Sequence, residues 1–375
     1  MTDFLVIGAG VSGLLLTREL LQAGASVCVV ERGNVGREAS WAGGGIVSPL
    51  YPWRYVDAVT ALANYAQDAY PALAAALLEE TGLDPELRQT GLMMLDAGDQ
   101  DQALEWAARY KRHMQCWQSD QIYQRETGLR AGFRQALWMP YVSNIRNPRL
   151  MKALRASVVS NPRCTLLENT EVTGFDVREG HVQSVNASSD GNIHKLQAAH
   201  FVVTAGAWTG RLLAEAGLPQ LPVVPVKGQM VLYQAEKPLI KSIVLSNGRY
   251  LIPREGGLIL AGSTLEHEGF NKTATGEAKE SLHASACGIL PALENVPVVA
   301  HWAGLRPGAP AGIPYVGRLP GFSNLSVNAG HYRNGLVLAP AAARLAADLL
   351  LGRQPAIDPV PYDPATPRLA DPLSG

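Results

Sequence analysis

The first thirty-one residues constrain the fold more than any other stretch. Phe4-Leu5-Val6-Ile7 is a continuous apolar run of the kind that forms a strand buried on both faces, and Gly8-Ala9-Gly10-Val11-Ser12-Gly13 follows it directly. A helix is predicted next, with apolar residues at Val11, Leu14, Leu15 and Leu21 and with Gly24 placed to end it. Val27-Cys28-Val29-Val30 then reads as a second strand, closed by Glu31. A glycine turn between strand and helix, followed by a strand that ends on an acid, is the arrangement that grips a dinucleotide. Gly8 makes the tight turn, Gly10 removes the Cβ that would obstruct a pyrophosphate, and Gly13 lets helix pack closely on strand. The helix N-terminus at Val11 and Ser12 offers unpaired N–H groups to a phosphate, and Glu31, with Arg32 beside it, is placed at the ribose hydroxyls.

Several partners are excluded by charge and patterning. Lys and Arg total 32 against 33 Asp and Glu, a net charge of −1, which provides no basic face for nucleic acid. No stretch approaches the roughly 20 uninterrupted apolar residues that span a bilayer, and Val11 to Ala23 carries Arg18, Glu19 and Gln22 on one side. The N-terminus opens on Asp3 and runs straight into the strand, unlike a signal peptide. Cys28, Cys116, Cys164 and Cys287 lie far apart and form neither a CxxC motif nor a disulfide framework. These features predict a soluble, cytoplasmic protein with no membrane partner and no metal.

The fingerprint alone does not choose between NAD and FAD. Gly33 to Pro49 favours FAD, because it is a loop of small residues centred on Ala39-Ser40-Trp41-Ala42-Gly43-Gly44-Gly45-Ile46, where an NAD-binding chain would continue in regular strand and helix units. Four further motifs follow: Arg249-Tyr250-Leu251-Ile252-Pro253-Arg254, His301-Trp302-Ala303-Gly304-Leu305-Arg306-Pro307-Gly308, Gly312-Ile313-Pro314-Tyr315-Val316-Gly317-Arg318, and Ala329-Gly330-His331-Tyr332-Arg333-Asn334-Gly335. In order and spacing this set resembles the glycine oxidase and D-amino-acid oxidase family of flavoproteins, from the first strand to about Arg353.

The resemblance implies an α/β fold in which a Rossmann-like FAD-binding domain is interleaved with an α+β substrate domain. Residues 1–49, 147–221 and 301–353 would bind FAD, residues 50–146 and 222–300 would cover the substrate, and the proline-rich 354–375 would be a loosely held tail. FAD contacts are implied at Ala39, Ser40, Gly44, Gly45 and Ile46, at the backbone of Val172, at Gly206 in a second glycine turn, and along Gly330 to Leu336. No cysteine follows Cys287, so the flavin is expected to be held non-covalently.

Chemistry supports the same residues at the substrate. A guanidinium cannot deprotonate and grips a small carboxylate with two bonds, and Arg306, expected on a Gly/Pro-bounded turn, is the candidate. Tyr250 would add a neutral donor. By resemblance, Arg333 would position the amine through its backbone carbonyl, and the N-terminus of a helix running from there through Leu350 would favour negative charge on reduced flavin. His331 reads as packing, since hydride transfer from Cα needs no base on carbon. Tyr51-Pro52-Trp53-Arg54-Tyr55 is expected as a lid, within a largely helical region from Leu50 to Arg146 in which Pro71 would kink a helix. The implied activity is oxidation of glycine, sarcosine or D-alanine by FAD and O2 to the 2-oxo acid, ammonia and hydrogen peroxide. It would serve thiazole formation for thiamine, in a homotetramer. A D-amino-acid dehydrogenase feeding a quinone, or a tRNA-modifying flavoprotein, stays open as an alternative.

Overall fold

The apolar run Thr2–Ile7 lies at the heart of a six-stranded sheet in a computed structural model that describes residues 2–368. The strand order across this sheet is Tyr315–Arg318, Leu325–Ala329, Ala198–Val203, Thr2–Ile7, Val27–Val30 and Cys164–Leu167. Every neighbouring pair is parallel except Tyr315–Arg318 with Leu325–Ala329. Both faces are covered, which is why the strands are apolar throughout rather than alternating. Phe4, Val6, Val27 and Val29 face helices Val11–Gln22, Asn147–Val159 and Gly335–Leu350. Leu5, Ile7, Cys28 and Val30 face the layer that includes the hairpin Glu171–Arg178 and His181–Ser189.

A second, eight-stranded sheet stands beside the first. Its order is Val298–Gly308, Val224–Gln234, Leu258–Gly262, Arg249–Pro253, Ile243–Ser246, Leu92–Leu95, Gln135–Met139 and Gln115–Gln118. One face packs on helix Gly276–Ile289. The other carries Met230, Tyr250, Ile252 and Leu260 toward Ile46, Leu50 and Trp302.

Three expectations are corrected here. Arg306 is not on a turn: it lies within strand Val298–Gly308, which pairs along Val224–Gln234. The region from Leu50 to Arg146 is mixed, because Leu92–Leu95, Gln115–Gln118 and Gln135–Met139 supply three strands of the second sheet, while helix Asp57–Thr81 runs on through Pro71. The tail is docked as far as residue 368: Tyr362 is buried and its hydroxyl donates to the Ala58 carbonyl at 2.7 Å, and the Arg368 guanidinium lies 3.5 Å from the Tyr315 ring centre. Residues 369–375 of that expected tail lie outside the described residues.

Candidate active site

Ile7 is in register with both Val30 and Val203, so three parallel strands end at one level and their following turns open into a cleft beside the second sheet. Gly8 has φ of +110°, and a Cβ there would lie 2.6 Å from the Thr204 carbonyl oxygen. A Cβ on Gly13 would lie 2.0 Å from the Gly8 oxygen. These two glycines sit under the floor and draw helix Val11–Gln22 down onto the turn, so that Gly10, Val11 and Ser12 line the cleft. The helix N-terminus has no side-chain cap of its own, and the Val11 N–H reaches across to Ser40 Oγ at 2.9 Å. Glu31 braces the turn, accepting from the Ala9 N–H at 2.8 Å and the Gly33 N–H at 3.0 Å.

Small residues make the adjoining wall. Ala39, Ser40, Gly44, Gly45 and Ile46 all line the cleft. Gly206 and the run from His331 to Leu336 line it from the other side. Buried polar atoms without partners collect here: Asn147 Oδ1, both amide atoms of Asn328, His331 Nε2, the Tyr332 hydroxyl and Asn334 Nδ2. Each such group left unpaired costs about 1–3 kcal/mol. A long polar ligand that meets a helix N-terminus, a glycine floor and these side chains therefore fits the residues present, and a dinucleotide has that shape and chemistry.

At the second sheet the cleft meets Arg306. A Cβ on Gly228, across the strand pair, would fall 2.2 Å from its guanidinium nitrogens, so a larger residue there would displace the guanidinium from this position. Arg306 donates to the carbonyls of Lys227 and Thr264, each at 3.2 Å, and to Ser263 Oγ at 2.8 Å. None of these acceptors is charged. Glu266 and Glu268 are paired instead with Lys227, at 3.0 and 2.9 Å. Burial lowers the pKa of Arg306 from the ordinary arginine value. Tyr250 is buried beside Gly44, with its hydroxyl 3.4 Å from Met230 Sδ. His331 is buried and burial pushes its pKa down to about 4, which keeps it neutral. Arg333 is exposed at the cleft, its guanidinium 5.5 Å from the Tyr332 ring centre.

A family model described as DAO, FAD dependent oxidoreductase, matches residues 3–349. The chain belongs to this family. It is 56% identical over 360 residues to a glycine oxidase of Pseudomonas aeruginosa, covering 96% of this chain and 98% of the relative. A glycine oxidase of Pseudomonas putida is 52% identical, covering 96% and 97%. The crystal structure of glycine oxidase from Geobacillus kaustophilus superposes with a TM-score of 0.87 at 31% identity, covering 96% of this chain and 97% of that one. FAD is the family's cofactor, and the cleft meets its demands.

Most of the residues singled out in this FAD-dependent oxidoreductase share the one cleft, including Tyr250, Arg306 and Arg333. Gly8, Gly13, Glu31 and Gly330 support its floor from behind. Arg32 is exposed, 4.4 Å from the Trp208 ring centre and 3.8 Å from Glu38, and is not brought to the cleft. Val172 is buried in the hairpin layer, away from the lining. Sequence reasoning missed Asn328, Asn147, Ser263 and Gly228. Asn328 carried a signal, as an amide side chain within the fully buried strand Leu325–Ala329. Among the described residues no helix is long and apolar enough to cross a membrane, and no group of acids, histidines and cysteines could hold a metal.

Proposed function

We propose that this chain oxidises glycine, and with it sarcosine and D-alanine, using O2 and water, to the 2-oxo acid, hydrogen peroxide and the free amine, which is ammonia from glycine and D-alanine and methylamine from sarcosine. The observation that carries this reading is Arg306: a guanidinium at the cleft wall, held by three neutral acceptors and paired with no carboxylate among the described residues. A substrate carboxylate supplies the missing charge, and the planar donor set binds it with direction as well as strength. The relatives named above are glycine oxidases, which supports the same substrate class.

When bound, FAD supplies the acceptor for the hydride leaving the substrate Cα and the route for both electrons to O2. The protein's part is placement and charge. Arg306 anchors the carboxylate and Tyr250 adds a neutral donor, while the backbone carbonyl of Arg333 takes the amine. Neutral His331 takes no proton from carbon. The Arg333 charge, exposed at the mouth, disfavours an ammonium beside it and so promotes loss of the amine proton to solvent before the hydride leaves. Ile46, Leu50, Tyr55 and Met230 narrow the cleft with apolar surface. Shape alone rejects an extra methyl by only about 1–3 kcal/mol, so preference for glycine over D-alanine is partial.

This reading carries with it a cytoplasmic location and a role in supplying thiazole formation for thiamine. The homotetramer expected from the resemblance is checked by light scattering. The deciding experiment measures peroxide release from the aerobic yellow protein with glycine, sarcosine, D-alanine and D-proline, beside anaerobic flavin bleaching with each. Peroxide with glycine or sarcosine is expected. Bleaching without peroxide would make the protein a dehydrogenase, and no bleaching would sink the small amino-acid reading.

A further inference from the structure

Arg254 ends the motif that carries Tyr250 and has no part in the reaction described above. Its guanidinium lies against the back of the glycine loop: Nη2 donates to the Gly44 carbonyl at 2.6 Å and Nη1 to Asn144 Oδ1 at 2.5 Å. A Cβ on Gly45 would come within 2.7 Å of Nη2. Gly44 and Gly45 line the cleft whereas Arg254 does not, so one thickness of backbone separates this cation from the cleft.

Among the described residues no acid forms an ion pair with Arg254. Glu86, whose field reaches it, is engaged by Arg146 at 3.3 Å and Arg149 at 2.9 Å. Burial pulls the pKa of Arg254 down to about 10, which leaves it cationic at neutral pH. An unpaired cation held in a protein wall is costly, and a neutral amide could hold the same carbonyl more cheaply. The charge therefore calls for a use of its own.

Geometry supplies one. In a trans peptide the N–H points opposite to the C=O. With the Gly44 carbonyl turned back to Arg254, the Gly45 N–H is turned to the cleft side, and it has no acceptor among the described residues. The loop is fixed in this sense from its other neighbours too, since the Ile145 N–H donates to the Gly45 carbonyl at 2.8 Å and the Val47 N–H to Ser143 at 2.9 Å. A peptide donor in front and a guanidinium behind make this wall positive. A fixed positive wall stabilises whatever gains negative charge against it.

We propose that Arg254 is a positioning residue for the cofactor: it locks the Gly44–Gly45 peptide with its N–H toward the cleft and, through its charge, makes the bound flavin easier to reduce. The inference rests on FAD binding, which the family establishes, and not on glycine as substrate. The test is the reduction potential of the holoenzyme, read anaerobically against a reference dye with no amino acid present. Arg254→Gln keeps a donor for the Gly44 carbonyl and loses the charge, and is expected to shift the oxidised-to-reduced ratio at least tenfold toward oxidised, about 30 mV for a two-electron couple. Arg254→Lys keeps the charge and is expected within about threefold of the parent, roughly 15 mV. A parental potential in the glutamine variant, or a lysine variant that falls as far as the glutamine one, overturns the proposal. Arg254→Met is prepared alongside, and whichever neutral variant holds FAD decides. A protein inactive on glycine would still give the answer.

Discussion

Arg306 is part-buried at the cleft and His331 fully buried beside it, and burial acts on the two to different ends. Arg306 stays charged and lacks a counterion, so it waits for an anion; His331 is pushed down to about 4 and so stays neutral and a weak base. Arg306→Ala is expected to raise KM for glycine about a hundredfold, the loss of roughly 3 kcal/mol of charge-assisted hydrogen bonding, while the protein remains yellow. Unchanged glycine kinetics would remove its assigned role. A second histidine gives a pH signature away from the cleft. Burial also pushes His200 down to about 4, with its ring nitrogen 2.9 Å from Ser326 Oγ. Its folded-state pKa lies below the ordinary 6.5, so the unfolded chain binds the proton more readily, and stability present above pH 6.5 is lost as pH falls toward 4. The melting temperature should fall between about pH 7 and about pH 5, and fall less in His200→Gln. At this scale Arg306 and Tyr250 stand out in the sequence because each lies in a recognisable motif, and the fold brings both to one cleft. Gly228 does not stand out, because its importance comes from a strand nearly eighty positions away.

The strand, glycine turn and helix at the N-terminus are the most legible element, since Gly8 and Gly13 there answer local demands that only glycine meets. Gly13→Ala puts a methyl 2.0 Å from the Gly8 oxygen, and backbone on both sides cannot yield cheaply. A loss of about 2–3 kcal/mol in stability and a lower FAD content after purification are expected, checked by thermal unfolding and the ratio of flavin to protein absorbance. Full flavin content at parental stability would contradict the close packing described. Leu92-Met93-Met94-Leu95 was harder to read. A short run apolar on every residue fits a helix segment as well as a strand buried on both faces, and only its partners, Ile243–Ser246 and Gln135–Met139, settle the matter. Arg306 was misplaced on a turn for a related reason: Gly304, Pro307 and Gly308 resemble turn punctuation, although here they let a strand pass close to Ala42 and Val226.

For the whole molecule, the α/β class and its parallel, Rossmann-like dinucleotide-binding sheet could be read in advance, whereas the three strands that residues 50–146 give to the second sheet could not. The C-terminal segment could not. Its prolines suggest a loose end, but Tyr362 reaches into the helical core and Arg368 covers Tyr315. Tyr362→Ala is expected to destabilise the protein by about 3–5 kcal/mol, as for other large buried aromatic side chains, with a measurable drop in melting temperature. A variant that melts with the parent would mean that this contact is dispensable.

The order in which the chain visits the two sheets also bears on how the protein is made. Thr2–Ile7 needs Ala198–Val203 on one side, and that strand in turn needs Leu325–Ala329. Between those visits the chain leaves to build all eight strands of the other sheet, three before Ala198–Val203 and five after it. A nascent polypeptide on the ribosome therefore carries its earliest strand with one edge unpaired until Ala198–Val203 has been made, and that strand waits in turn for Leu325–Ala329. Pairings this distant form slowly and leave sticky intermediates exposed. Halves of the chain expressed separately are therefore expected to aggregate rather than fold, which their solubility beside that of the whole chain checks.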